Sequence, residues 1–492
     1  VNPQIRRLFL VFCLLFVALV ATTTYWLWRS PDLEARRGNP SLVVRQLVIK
    51  RGLVYASDGK TVLARNRTRK VQGRTWYLRT YPQKGLAAHV VGYSTLARSR
   101  SGLEKSLNDF LTGSNSNLKT VLDRTLDKIR GLTQEGNDLV LTIDPGVQRV
   151  ATDALQGFCG AAVALDPTTG AVLAMASSPT YDPNLVENRF REILRAPGPC
   201  EPAAPLLNRA AQGLFIPGST FKVITAAAAL DTDRFTPESR FDDPGYCVEY
   251  GKKVFNFADQ SGPEAFGNVS FSEALQHSIN AVFCEIGKEL GPEIVLDYAQ
   301  RFGFYELPPL ETPDDERRAS GLYERGRLFL PDDPNAVDPG RLAFGQERML
   351  VTPLQMAMVA AGIANGGIVM EPYVVDRVLT PDGDILTRTS PAELSRAVSP
   401  DTAAALTAMM ELVVESGTGT AAQIPGVRVA GKTGTAETGR PEENDAWFIA
   451  FAPADAPRVA VAVALSGQAG TGGATAAPIA RTIMEAVLAQ SA

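Results

Sequence analysis

Residues 217–230 read Pro217-Gly218-Ser219-Thr220-Phe221-Lys222-Val223-Ile224-Thr225-Ala226-Ala227-Ala228-Ala229-Leu230. A Pro-Gly pair followed by an apolar, alanine-rich run predicts a helix with Ser219 at its start. There the free backbone N–H groups and the positive end of the dipole favour a developing oxyanion. Lys222 falls on the same face, one turn below. Phe221, Val223, Ile224 and the alanines desolvate it, which disfavours the ammonium and makes the amine a base for the serine hydroxyl. Taken alone, the same residues also describe an N-capping serine and a surface lysine.

Two strings further along decide between these readings. Ser278-Ile279-Asn280 sits between the helical stretches SFSEALQH and AVFCEIGKELG, a junction where a hydroxyl and an amide can face a cleft. Ser278 is placed to relay a proton between Lys222 and a leaving amine, and Asn280 to hold Lys222 and a substrate amide. Lys432-Thr433-Gly434-Thr435 continues the strand-like VRVAGKTGTAE. Gly431 and Gly434 leave room for an extended substrate backbone along the strand edge, Lys432 supplies positive charge, and Thr433 and Thr435 offer hydroxyls to a terminal carboxylate. The backbone N–H groups of Ser219 and Thr435 would form the oxyanion hole. Alone, the second string is a turn with a cap and the third a glycine-rich turn. In this order, at intervals of roughly 60 and 155 residues, they describe one serine–lysine acyl-transfer site. A Ser-His-Asp triad is the competing arrangement. The chain has two histidines, His89 in the membrane-proximal part and His277 beside Ser278, and no GxSxG elbow surrounds Ser219.

The bulk properties agree. With 492 residues, 45% of them hydrophobic, the chain can hold two or three domains. A net charge of −4 leaves no basic excess to neutralise phosphates, which argues against nucleic acid as a partner. Residues 8–28 carry no charge and as a helix would span about 31 Å, close to a bilayer core. Arg6 and Arg7 precede the run and Tyr25, Trp26 and Trp28 close it. This predicts a cytoplasmic tail over 1–7, an anchor over 8–28 and a stalk over 29–45, with the bulk of the chain outside the cell. A cleaved signal peptide is the alternative, disfavoured because its apolar core would be shorter and Ala18, Ala21 and the threonines give a poor cleavage site, past which the apolar run continues. Cys159, Cys200, Cys247 and Cys284 then lie where pairing is allowed, in any of three connectivities, or as free thiols. No cysteine or histidine spacing points to a metal.

From Leu47 a strand-like run breaks at Ser57-Asp58-Gly59, a hairpin turn. Residues 46–136 form a small α+β pedestal and 137–492 the catalytic unit. In the latter, Asp144-Pro145 opens a helix, GAAVALDPTTGAVLAMAS reads as two strands around a turn, AWFIAFAP and RVAVAVAL as two buried strands, and APIARTIMEAVLAQ as a terminal helix. Residues 306–339, rich in Pro, Asp, Glu and Arg, read as a solvated surface excursion.

Beyond the site strings, RGLVYASDGKTVLA from Arg51, YPQKGLAAHVVGY from Tyr81, GLEKSLNDFLTG from Gly102, LDPTTGAVLAMASSPTYDPN, NRAAQGLFIPGSTFK, AFGQERMLVTPLQMA and DAWFIAFAP are similar to landmarks of one family. From about residue 46 to its end the chain resembles the class B penicillin-binding proteins, and among them the short actinobacterial type. The resemblance implies an α/β transpeptidase domain of the penicillin-binding and serine β-lactamase fold, a central antiparallel sheet flanked by helices. A pedestal and a transmembrane helix would precede it. It implies a peptidoglycan D,D-transpeptidase: Ser219 attacks the penultimate D-alanine of a stem peptide, D-alanine leaves, and a neighbouring amine takes the acyl group. Catalysis would rest on Ser219, Lys222, Ser278, Asn280 and Lys432, substrate binding on Thr433, Gly434 and Thr435, with no cofactor. β-Lactams would acylate Ser219, and the partners would be lipid II-derived glycan and a membrane glycosyltransferase of the SEDS type. A D,D-carboxypeptidase, a β-lactamase and a non-enzymatic penicillin-binding scaffold share the fold. The acceptor amine, and a role in division or in side-wall growth, stay open. Two positions depart from the family pattern. Glu347 follows Gly345-Gln346 where a glycine is usual, and Ala56-Ser57 replace a charged pair, which puts the contacts between domains in doubt.

Overall fold

The computed structural model describes residues 3–34, 47–71, 73–96, 98–114, 135–256, 258–259, 262–438 and 443–490. It begins with one long helix, α1 (Pro3–Glu34), whose stretch Pro3–Trp26 is apolar and long enough to cross a membrane. Its leucines and phenylalanines, Leu8, Phe9 and Phe12 among them, face outward. The helix outlasts the uncharged run: residues 29–34, read as the start of a stalk, continue it, because backbone hydrogen bonding does not end where hydrophobicity does. The rest of the expected stalk lies outside the described residues, as does the 115–134 part of the pedestal.

The pedestal is built on a six-stranded sheet. Strands β1 (Val54–Tyr55), β2 (Val62–Val71), β3 (Arg74–Thr80) and β4 (Asp138–Leu141) come from the first part of the chain. The Asp58 carboxylate fixes the β1–β2 turn by accepting from Lys60 N at 2.9 Å and Thr61 N at 2.8 Å. Two more strands, β9 (Val375–Leu379) and β10 (Ile385–Arg388), arrive from far downstream, giving the order β10-β9-β4-β1-β2-β3. The buried run of β4 needs partners on both edges, and takes β1 in parallel and β9 antiparallel. The sheet therefore draws strands from both sides of residue 137.

The catalytic unit opens with α2 (Pro145–Ala154), capped by Asp144, then β5 (Cys159–Leu165) and β6 (Val172–Ser178). Next come α3 (Lys222–Asp231), the hairpin β7 (Tyr246–Glu249) and β8 (Lys252–Phe255), α4 (Phe271–Gln276), α5 (Asn280–Leu290) and α6 (Pro353–Ala364). The two downstream pedestal strands are β9 (Val375–Leu379) and β10 (Ile385–Arg388). The chain closes with α7 (Pro400–Ser416), β11 (Ala430–Glu437), β12 (Asn444–Ala452), β13 (Val459–Gln468) and α8 (Gly472–Ala489). Five strands pair in the order β11-β12-β13-β5-β6, all antiparallel, so the sheet is completed only by the last part of the chain. Alternation along β12 sends Trp447, Ile449 and Phe451 to one core, and Phe448, Ala450 and Ala452 to the other. Helices α2 and α8 cover the second face and α6 the first. Beyond lies α3, buried at every position from Lys222 to Leu230 and packed on α5 and α7.

Residues 306–339 differ from the expectation of a solvated excursion. Leu310, Thr312, Arg317, Ser320 and Leu322 are buried. The Glu316 carboxylate accepts from Gly102 N at 2.9 Å, Asp315 pairs with Lys105 at 2.7 Å, and Glu311 accepts from Val374 N at 2.8 Å and Val375 N at 3.1 Å. Glu311 and Glu316 are thus spent on pedestal groups, whereas Glu306, Asp315, Glu324, Arg325, Arg327, Asp332 and Asp333 are exposed, as expected. Disulfides Cys159–Cys200 and Cys247–Cys284 select one of the three possible pairings.

Candidate active site

Ser219 is the second residue of a tight 3-10 turn, Gly218–Phe221, that runs into α3. Lys222 is thus the first α-helical residue, directly beneath it. Gly218 holds φ +50°, and a Cβ there would meet Ala436 Cβ at 3.0 Å, so only glycine lets the turn press against β11. Gly434 serves the same contact from the other side. Its Cβ would strike Pro217 O and Thr220 Cγ2, each at 2.9 Å. The room it leaves is therefore filled by the nucleophile turn and not by substrate backbone, contrary to the sequence reading. Strand β11 is an edge strand of its sheet, so its outer side is open to a partner strand.

Ser278 and Asn280 lie where expected, at the junction of α4 and α5. Ser278 has φ +59°, a left-handed conformation costing a non-glycine residue on the order of 1–3 kcal/mol. This bend brings its carbonyl and its hydroxyl to the same amine. Lys222 Nζ donates to Ser278 O at 2.6 Å and to Asn280 Oδ1 at 2.8 Å, and lies 3.3 Å from Ser278 Oγ. Lys432 Nζ donates to the same Oγ at 2.8 Å and to Thr433 O at 2.9 Å. A continuous polar chain thus runs from Asn280 through Lys222, Ser278 and Lys432 to Thr433. Both lysines are fully buried. Burial, and then the nearby charge of Lys432, pushes Lys222 well below the ordinary lysine range, and burial brings Lys432 down to about 7. A neutral Lys222 that gives its two protons to Ser278 O and Asn280 Oδ1 keeps a lone pair for a hydroxyl.

The cleft above these groups has a volume of about 1170 Å³, and Ser219, Ser278, Asn280, Thr433 and Thr435 line it. Three contributors had no signal in the sequence. Thr418, in the loop after α7, shares a hydrogen bond with Thr433 Oγ1 at 2.6 Å and lines the cleft. Gly472 N, opening α8, donates to Thr435 Oγ1 at 3.2 Å. Asn256, 5% exposed, accepts from Ala281 N at 2.9 Å and donates to Asp243 Oδ2 at 2.8 Å, while Asn280 Nδ2 donates to Phe255 O at 3.1 Å. The last residue of β8 therefore fixes which end of the Asn280 amide faces Lys222, and the Cys247–Cys284 disulfide staples that hairpin to α5. His89 is remote from the site: it packs on Tyr181 with Nε2 2.8 Å from Pro205 O, and burial lowers it to about 4. His277 stacks on Phe266 at the cleft wall.

A serine above a desolvated lysine, a Ser-x-Asn bridge and an open Lys-Thr-Gly-Thr edge strand define a serine acyl-transferase fold. Known proteins agree. The penicillin binding protein transpeptidase domain matches residues 160–485, and the penicillin binding protein A dimerisation domain matches 51–139. Peptidoglycan D,D-transpeptidase PbpA of Mycobacterium tuberculosis is 36% identical over an alignment 509 positions long, gaps included, covering 99% of each chain. Peptidoglycan D,D-transpeptidase MrdA of Acinetobacter baumannii is 29% identical, over 89% of this chain and 70% of that one. Among solved structures, the ceftriaxone acyl-enzyme complex of M. tuberculosis penicillin-binding protein A superposes with a TM-score of 0.80 at 35% identity, over 90% of this chain and 100% of the other. The D,D-transpeptidase domain of an Eggerthella lenta peptidoglycan glycosyltransferase gives 0.75 at 35% identity, over 90% and 98%. The chain belongs to the class B penicillin-binding protein transpeptidases.

Proposed function

We infer that this chain is a peptidoglycan D,D-transpeptidase that works through an acyl-Ser219 intermediate. The observation that carries the reading is the fully buried Lys222 amine, held by Ser278 and Asn280 with no carboxylate beside it among the described residues. Lys222 takes the proton of the Ser219 hydroxyl as Oγ attacks the carbonyl of the penultimate D-alanine. The N–H groups of Ser219 and Thr435 receive the oxyanion. Ser278, hydrogen-bonded to Lys432 and 3.3 Å from Lys222, passes a proton to the departing D-alanine nitrogen. Lys432, Thr433 and Thr435 take the terminal carboxylate, with Thr418 and Gly472 N orienting the two hydroxyls. An incoming amine then reverses these steps to form the cross-link. β-Lactams enter the same route and stay on Ser219.

The membrane reading extends this. α1 anchors the chain, and two disulfides support placing the catalytic unit in an oxidising compartment outside the cell. The glycan strand it cross-links would come from a membrane glycosyltransferase of the SEDS type. Labelling with a fluorescent penicillin tests the site: wild type is labelled and Ser219→Ala, folded by its circular dichroism, is not. Label on Ser219→Ala would overturn the assignment of the nucleophile. A penicilloyl adduct that hydrolyses within seconds would make the protein a β-lactamase instead.

A further inference from the structure

Strands β2 and β3 carry a charge pattern unlike the rest of the chain. Among the described residues β1 meets β2 only at Val62 and Ala64, and from Arg65 onward β2 pairs on one side alone, with β3, so that the two project as an arm. Residues 62–80 contain no Asp or Glu, in a chain whose net charge is −4. Alternation places Arg65, Arg67 and Arg69 on one face of β2. Thr80, Leu78 and Trp76 stand directly across the ladder from them and share that face, and Arg74, opposite Val71, continues it. These four arginines are exposed, and none has a hydrogen-bond or ion-pair partner among the described residues. The face leads to a cavity of about 400 Å³ that Arg67 and Leu78 line together with Arg51, Arg79, Arg100 and Glu187.

Location decides what such a face meets. The arm belongs to the first folded module after α1. The roughly 13 residue steps from Glu34 to Leu47 reach at most about 45 Å, so the bilayer that holds α1 is always within range. Attraction between exposed charges dies within a Debye length of about 8–10 Å, and a tether of this length supplies the local concentration a weak surface contact needs. Arginine beside tryptophan and leucine suits the boundary between headgroups and water. We propose that the arginine face of the β2–β3 arm docks on anionic phospholipid headgroups of the membrane in which α1 is anchored, setting the pedestal's orientation on the bilayer.

The test uses the full chain in vesicles of phosphatidylcholine alone and with about one third phosphatidylglycerol. Arginine modification by phenylglyoxal is read residue by residue by mass spectrometry, with exposed Arg325 as the reference site. Insertion through α1 is scored separately by resistance to carbonate extraction, so loss of the anchor and failure of the arm give different results. Expected is several-fold slower modification of Arg67, Arg69 and Arg74 in the anionic vesicles, restored by high salt, with Arg325 unchanged. In the Arg65→Gln/Arg67→Gln/Arg69→Gln variant, Arg74 loses its protection, since each charge contributes roughly fivefold to attraction. Penicillin labelling of the variant stays at the wild-type level, which shows that it is folded. Equal modification in both vesicle types overturns the proposal. So does protection in detergent by an acidic partner protein or by inorganic phosphate alone, which would make the arm a protein contact or a free-anion site.

Discussion

The pedestal and the catalytic cleft both bury charge, and they treat it in opposite ways. In the pedestal, Glu104 is wholly buried between Arg51, whose Nη2 is 2.7 Å from Oε2, and Arg79, which reaches Oε1. Burial alone would raise this carboxyl, but the two guanidiniums outweigh it and hold it below its usual range. In the catalytic cleft, Lys222 and Lys432 are just as buried, and their partners are neutral oxygens. Among the described residues no carboxylate pairs with either amine, and burial outweighs the neutral acceptors and the Phe283 ring 5.2 Å from Lys222 Nζ, so both amines are pushed towards the neutral form. A compensated charge holds structure, whereas an uncompensated one is available for chemistry.

The sharpest way to break this contrast is to remove each group and read rate and stability together. Lys222→Met should lower the second-order rate of penicillin acylation by about 10²–10⁴-fold, as for loss of a general base, with melting temperature unchanged or higher. A fall in melting temperature with a near-normal rate would make Lys222 structural. Glu104→Gln should do the reverse. Breaking a buried pair costs roughly 3–5 kcal/mol, seen as a lower urea midpoint, while acylation by the protein that remains folded is unaltered. The effect also carries a pH signature. A carboxyl held below its ordinary value contributes stability above that value and loses it as pH falls through the folded-state pKa. The gap between wild type and Glu104→Gln should therefore close in acid. A gap constant down to strong acid would show that Glu104 is not ionised in the fold.

Smaller effects sharpen the picture of the cleft. Asn256→Ala removes the hydrogen bond to Ala281 N that steadies the start of α5. It should lower the acylation rate constant roughly tenfold, about 1.4 kcal/mol, and leave non-covalent affinity for the antibiotic in place. A loss confined to affinity would place Asn256 in substrate binding. Thr418→Val frees the Thr433 hydroxyl and should weaken carboxylate binding by about two- to tenfold, the worth of one hydrogen bond. An unchanged Michaelis constant would remove Thr418 from the site.

How far these regions could be read in the sequence follows the same division. The Ser219–Lys222, Ser278–Asn280 and Lys432–Thr435 groups are legible because each packs its chemistry into a few adjacent residues with a fixed local geometry. Asn256, Asp243 and Thr418 are not, because single polar residues acquire meaning only when the fold carries them to a motif. The strands of the catalytic sheet announced themselves by alternation and turns. By contrast β9 and β10, joining the pedestal sheet from residues 375–388, gave no local sign of their destination. The acidic residues Glu311 and Glu316 were misjudged because charge in a loop reads as solvation until its backbone partners are seen. Pairing of the four cysteines needed the fold for the same reason.

The claim on which the rest depends is that Lys222 is an uncharged amine at physiological pH. The most direct test is the pH dependence of the acylation rate with a penicillin bearing a free carboxylate. With Lys222 far below the usual 10.5, the rate should already be maximal near pH 7, and should fall above it as Lys432, at about 7, gives up the charge that holds the carboxylate. A rate that climbs tenfold per pH unit from 7 towards 10 would mean that Lys222 titrates as an ordinary lysine, and would contradict the account.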